Sequence, residues 1–197
     1  MIRVIELFAG IGAQASALER LGIEHERVAV AEWDDRTYRV YCAIHGDTPN
    51  LGDITKIEHL PECDLLTCSS PCQDISVAGH MAGLSKGSGT RSATLWDVGR
   101  LLDDMRERDV LPEVLLMENV DSILFKHAIG DFMQWIRFLD GLGYTNSYQV
   151  LNAKDHGIPQ NRKRMFMVST RTLGKFRFPE SRPLKLRLKD VLENDVP

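Results

Sequence analysis

The run Val4-Ile5-Glu6-Leu7-Phe8 reads as a short strand that leads straight into Ala9-Gly10-Ile11-Gly12-Ala13 and then a helical stretch over residues 14–21, stopped by Gly22. Strand, glycine turn, helix opens a βαβ unit and lets bare backbone approach a nucleotide-like ligand. The same G-x-G also fits a plain tight turn between a strand and a helix. A second strand, residues 27–31, ends in Glu32. An acid there, roughly twenty residues after the glycines, suits the hydroxyls of a ribose, and a solvated strand-end carboxylate is the alternative. Trp33 follows with a ring suited to stacking on a purine. Asp34 or Asp35 opens the next helix, through about Ile44. Beyond a loop at 46–52, Asp53 and Ile54 stand past a short extended segment, and Asp53 is placed to meet an adenine amino group.

A third strand begins after Asp64. Leu65-Leu66-Thr67-Cys68 passes into Ser69-Ser70-Pro71-Cys72-Gln73, an apolar run that delivers the chain into a stiff loop. A cysteine beyond the carboxyl end of a parallel strand lies where open α/β sheets place chemistry. Its thiol attacks as the thiolate, so Cys72 requires a base, a cation or a helix N-terminus beside it. A buried structural cysteine is the plainer reading of such a residue taken alone. Residues 73–90 carry Gly79, Gly83, Gly87 and Gly89 with Ser76, Ser85 and Ser88, a long loop suited to a lid over substrate.

Residues 92–106 read as an amphipathic helix with Leu95, Val98, Leu102 and Met105 on one face. Val114-Leu115-Leu116-Met117 is a buried strand ending in Glu118-Asn119-Val120. A carboxylate at the end of an all-apolar strand is costly to keep charged, so its pKa tends upward unless a cation sits by it. Residues 131–142 form a further helix ended by Gly143. Tyr148-Gln149-Val150-Leu151 and Met165-Phe166-Met167-Val168 form a strand pair around a basic connection, Gln160-Asn161-Arg162-Lys163-Arg164.

A chain of 197 residues, 43% hydrophobic and 26% charged, has enough apolar surface for a full core, and one domain is the default. The net charge of -4 gives no global attraction to nucleic acid, but between Arg162 and Lys189 the only acid is Glu180 among ten basic residues. That segment fits either a phosphate backbone or a solvated face. No apolar run reaches membrane-spanning length and no signal peptide precedes the first strand, so a cytoplasmic protein with no membrane partner is expected. A zinc reading of Cys63, Cys68 and Cys72 lacks a paired C-x-x-C knuckle, and no metal is expected.

Together these motifs resemble one family, the cytosine-C5 DNA methyltransferases. Phe8-Ala9-Gly10-Ile11-Gly12 is similar to its methyl-donor loop, Pro71-Cys72-Gln73 to its nucleophile loop, Glu118-Asn119-Val120 to its acid motif and Gln160-Asn161-Arg162-Lys163-Arg164 to its Q-x-R-x-R element. The four stand in the family's order, and the resemblance runs from Val4 to about Leu192. It implies an α/β fold, a mostly parallel Rossmann-like sheet with helices on both faces, binding S-adenosylmethionine. By the match, Phe8, Ala9, Gly10, Ile11, Gly12, Glu32, Trp33, Asp53, Ile54 and Leu95 meet the cofactor. Cys72 is the nucleophile, Glu118 meets N3 of a flipped cytosine, Arg164 holds the base and the glutamate, and Arg162 assists. Pro71, Gln73, Ser76, Asn119, Val120 and Gln160 surround the base.

The implied chemistry accounts for these residue types. Cytosine C5 is too weak a nucleophile to take a methyl group until a thiolate adds at C6. A carboxyl at N3 offsets the charge that develops on the ring. The base is unreachable inside a duplex and must be flipped out of double-stranded DNA. Ala13 stands where the family usually has a further glycine. The family's recognition domain and returning final helix are not found between Val4 and Pro197, so residues 1–197 are expected to be a methyltransferase catalytic domain truncated before the target-recognition domain, with a second chain as a possible carrier of the rest. A tRNA cytosine-C5 methyltransferase and an inactive, regulatory or split-enzyme subunit are the other readings.

Overall fold

The computed structural model describes residues 1–71 and 94–193, and within them each apolar run forms a strand. These are β1 (Ile2–Leu7), β2 (His25–Ala31), β3 (Leu65–Cys68), β4 (Val114–Asn119), β5 (Thr145–Asn152) and β6 (Lys163–Thr170). They lie in one sheet in the order β2-β1-β3-β4-β6-β5. The pairings β1–β2, β1–β3 and β3–β4 are parallel, while β6 runs antiparallel to both β4 and β5. The chain connections require this. β1 and β2 are joined by a helical crossover, α1 (Ala13–Arg20), as parallel neighbours must be. β5 and β6 are joined by a short connection at 153–162 and fold back on each other.

Strand alternation sorts the two faces. Ile5 and Leu7 of β1, Ala29 and Ala31 of β2, and Met165 and Met167 of β6 share the main core with α3 (Leu95–Glu107) and α4 (Ile129–Gly141). Trp135 of α4 is 1% exposed and packs edge-on to Trp96 of α3. Burying a side chain of that kind contributes about 1.5–3 kcal/mol. The intervening residues Glu6 and Val30 point to the other face, where Val30 packs with Tyr41 of α2 (Asp35–His45). Asp34 caps α2, its carboxylate accepting from the Thr37 amide at 2.7 Å, and that bond holds its carboxyl below the usual range. Further along the second face, Leu116, Glu118, Arg164 and Phe166 are only half-buried.

Several boundaries differ from the sequence reading. β5 begins at Thr145, before the expected Tyr148, because it is an edge strand whose polar first residues still complete the ladder with β6 (Thr145 opposite Thr170). α4 begins at Ile129, two residues earlier than Asp131. Glu118 and Asn119 lie inside β4, paired with Phe166 and Met165 of β6. The expected helix start at Ser92 and the loop at 73–90, with Cys72, Gln73 and Ser76, lie outside the described residues. Among the described residues no helix is long and apolar enough to cross a membrane.

Candidate active site

Two groups of side chains stand at the carboxyl ends of the parallel strands. The first surrounds a cavity of about 370 Å³ lined by Phe8, Ala31, Glu32, Trp33, Gly52, Asp53, Ile54, Pro71 and Thr94. It opens where β2 and β3 flank β1 on opposite sides, the switch point at which open α/β sheets bind ligands. Phe8 (φ 56), Gly10 (φ 57) and Gly12 (φ 79) are all left-handed, so the chain leaves β1 in a tight coil. Glu32 is 9% exposed and fixes this coil: one carboxylate oxygen accepts from the Gly10 amide at 3.0 Å, the other from Asp34 at 2.9 Å. Asn50 also ties the end of β2 to the following loop, accepting from the Glu32 amide and donating to its carbonyl.

The indole of Trp33 is 74% exposed at the cavity wall, a flat apolar surface with little of its own packing. Asp53 caps the short turn after it, accepting from Thr55, and these bonds lower its pKa. A cavity lined by the Phe8 and Trp33 rings and by the carboxylates of Glu32 and Asp53 fits a cationic purine nucleoside such as S-adenosylmethionine. Of the ten residues expected to meet a cofactor, Phe8, Glu32, Trp33, Asp53 and Ile54 line this cavity. Ala9, Gly10, Ile11 and Gly12 form the coil behind it. Leu95 is 1% exposed in the main core, and its neighbour Thr94 is the residue that reaches the cavity wall.

The second group lies on β4 and β6. Arg164 Nε stands 3.0 Å from Glu118 Oε1, and both side chains are 24% exposed. Register explains the meeting: Phe166 is directly opposite Glu118, so Arg164 is its diagonal neighbour on the same face. Arg164 also donates to the Lys163 carbonyl at 2.7 Å, which limits its swing. Burial raises the Glu118 pKa, and the charges of Arg164 and Arg162 pull it the other way without cancelling the rise. A cleft beside this pair is lined by Asp121 and residues 160–164. Gln160 and Arg162 are exposed there, and Asn152 accepts from the Arg162 amide to hold the connection.

Asn119, expected beside the base, is 2% exposed and acts as a tie. Its amide donates to the Ser70 carbonyl and hydroxyl at 3.3 and 3.2 Å, and its oxygen accepts from Val120. It thus couples the end of β4 to the exit of β3 just before Pro71. Gln14 makes a second tie, donating to Ser69 at 2.8 Å. Nothing in the local sequence pattern signals these roles of Ser69 and Ser70. Pro71 reaches the first cavity, so the chain entering Cys72 borders the cofactor-sized space. Burial pushes the thiols of Cys63 and Cys68 up to about 12, leaving them poor nucleophiles. Among the described residues no cluster of metal-ligating side chains occurs.

The cavity at the switch point and the Glu118–Arg164 pair at the end of β4 thus stand on a mostly parallel α/β sheet of nucleotide-binding type. The model of C-5 cytosine-specific DNA methylases matches residues 2–197. The chain belongs to that family. It is 33% identical to the type II methyltransferase M2.ScrFI of Lactococcus lactis subsp. cremoris, covering 100% of this chain and 69% of that protein. It is 36% identical to the orphan methyltransferase M.SssI of Spiroplasma monobiae, over 86% of this chain and 59% of the relative. Its fold matches a DNMT2 mutant of Spodoptera frugiperda with a TM-score of 0.76 at 20% identity, over 100% of this chain and 61% of that one. The chain therefore spans 59–69% of the length of these three relatives.

Proposed function

We propose that this chain is the catalytic domain of a DNA cytosine-C5 methyltransferase, residues 1–197 supplying the donor site and the chemical groups. The observation that carries the reading is the Glu118–Arg164 pair standing on the same rim as the cavity bordered by Phe8, Trp33 and Pro71. Bound S-adenosylmethionine would supply an electrophilic methyl group on a sulfonium. Glu32 and Asp53 would hold its ribose and adenine, and Phe8 and Trp33 its ring. Cys72, on the loop that Pro71 opens, is the nucleophile of the proposal: its thiolate adds to cytosine C6 and is expelled when the C5 proton leaves. Glu118, its carboxyl biased toward the protonated form, presents a hydrogen to ring N3 as charge develops there. Arg164 orients that carboxyl and, with Arg162 and Gln160, faces the flipped base. Val120 and Asn119 shape the floor of the site, and Gln73 and Ser76, outside the described residues, are further proposed contacts of the base.

Double-stranded DNA is the proposed substrate. The basic segment supports it: residues 171–189 leave β6, and Arg182 returns to the rim, its amide donating to the Asp155 carbonyl at 2.6 Å. Past that point Leu184, Leu186 and Leu188 are exposed between Lys185, Arg187 and Lys189, a surface suited to a further polypeptide carrying target recognition. A duplex containing 5-fluorocytosine tests the chemistry, because fluorine at C5 blocks elimination and freezes the adduct. With donor and a recognition fragment present, a covalent complex is expected that Cys72→Ala abolishes and Cys68→Ala leaves. An adduct that survives Cys72→Ala would overturn the assignment.

A further inference from the structure

The proposed chemistry leaves His45 without a role, although its ring is buried and both of its nitrogens are engaged. It is the last residue of α2, and its side chain is 0% exposed. Each ring nitrogen meets an acceptor. Nε2 is 3.1 Å from the Ile11 carbonyl and Nδ1 is 3.0 Å from Glu19 Oε1 of α1. A carbonyl only accepts, so the contact with Ile11 takes a hydrogen from the ring. Glu19 in turn meets Arg27 of β2 at 3.0 Å, and the Arg27 guanidinium donates to the His45 carbonyl.

One turn back on α2, the Tyr41 ring tilts against His45 at 4.8 Å. Its hydroxyl donates to Glu6, 1% exposed on β1, whose other oxygen accepts from the Ala15 amide of α1. These contacts converge on the peptide between Ile11 and Gly12. Its carbonyl is held by His45, and its N–H donates to the Ala9 carbonyl at 2.9 Å. Gly12 leaves room for the ring and no more: a Cβ there would lie 2.3 Å from His45 Nε2.

We propose that His45 is a positioning residue for the methyl-donor loop, its imidazole fixing the Ile11–Gly12 peptide and through it the backbone of residues 8–12 behind the cavity. The inference rests on the reading of that cavity as the donor site. A ring that merely filled space behind Gly12 would be replaceable by any group of similar size. A ring that holds a carbonyl is replaceable only by another donor of the right reach.

The full chain with His45→Phe, His45→Asn and His45→Gln separates these. S-adenosylhomocysteine affinity is read by calorimetry, amide hydrogen exchange over residues 9–13 by mass spectrometry, and folding by thermal melting. The Gln variant, long enough to present an N–H to Ile11, is expected to bind within about twofold of the parent. The Phe and Asn variants, lacking a donor in reach, are expected to lose about tenfold in affinity and to exchange faster in the loop. A folded Phe variant with unchanged affinity and exchange overturns the proposal. If the Phe variant does not fold, equal behaviour of the Asn and Gln variants overturns it. Absence of nucleoside binding by the parent chain defeats the donor-site reading instead, and the exchange comparison still decides the role of His45.

Discussion

Arg164 lies 3.0 Å from Glu118, and the Glu118 carboxyl is nevertheless biased toward its protonated form. Ordinarily an adjacent guanidinium depresses a carboxyl. Here burial at the end of an apolar strand is the larger effect. The pair therefore differs from a plain surface ion pair: the arginine moderates and aims a carboxyl whose pKa burial raises. Removing the cation should push the carboxyl further up. In Arg164→Met, the Glu118 side-chain carbon followed by NMR is expected to titrate at higher pH than in the parent. An unchanged or lower titration midpoint would mean that Arg164 does not act on Glu118.

The same bias sets a pH dependence of stability. A carboxyl whose folded pKa lies above its unfolded one favours the native state most at pH below the unfolded value. That contribution is lost as pH rises through the window between the unfolded and the raised folded value, and is flat beyond it. Glu118→Gln removes the titration while keeping the shape. Urea midpoints measured across acidic to neutral pH should therefore show the parent losing stability relative to the variant as pH rises. Methyl transfer by Glu118→Gln, with the recognition fragment supplied, is expected to fall by about 10²–10⁴-fold.

Gly10 and Gly12 separate two reasons for being glycine. Both are left-handed, at φ 57 and 79, but a Cβ on Gly10 meets nothing within 4 Å while one on Gly12 meets His45 and Tyr41. Gly10→Ala should cost about 1–2 kcal/mol from backbone strain alone. Gly12→Ala adds a clash with a buried ring and should cost about 3 kcal/mol or more. Denaturant unfolding of the two variants checks the order, and equal losses would show that the ring yields freely.

The strands, the glycine coil and the acid at the end of β4 were readable because each follows from local pattern: alternation, left-handed turns, an apolar run ended by a charge. Glu32 was readable in position but not in detail. The sequence suggests a ribose partner, and the structure shows both its oxygens already accepting from Gly10 and Asp34. The ties were not readable. Ser70 to Asn119 spans 49 positions and His45 to Ile11 spans 34, and no periodicity within one element reports contacts made between elements. Leu95 was readable as core: spacing puts it on the apolar face of its helix, where it is buried, and Thr94 lies at the cavity.

Asn119 should be more than a base neighbour. Its side chain joins Ser70 and Val120, so it sets the spacing of the strand exits that carry Cys72 and Glu118. Asn119→Ala leaves a buried serine hydroxyl and carbonyl short of a partner, at a cost of about 1–3 kcal/mol. Denaturant unfolding is expected to register that loss. Full stability in the variant would show that water replaces the amide and that the tie is dispensable.

Thiol chemistry discriminates among the cysteines without DNA. Cys63 and Cys68 are 4% and 5% exposed, and burial pushes both thiols up to about 12, so almost no thiolate is present near neutral pH. Alkylation needs the thiolate and access together. In the folded chain, iodoacetamide at mildly alkaline pH should leave Cys63 and Cys68 unmodified while Cys72 reacts. Addition of urea should expose all four cysteines to modification. Peptide mapping by mass spectrometry reads each site separately. Rapid native modification of Cys68 would contradict the buried thiol next to the site. It would also reopen the choice of nucleophile, because Cys68 ends β3 only a few positions before Cys72 in the sequence.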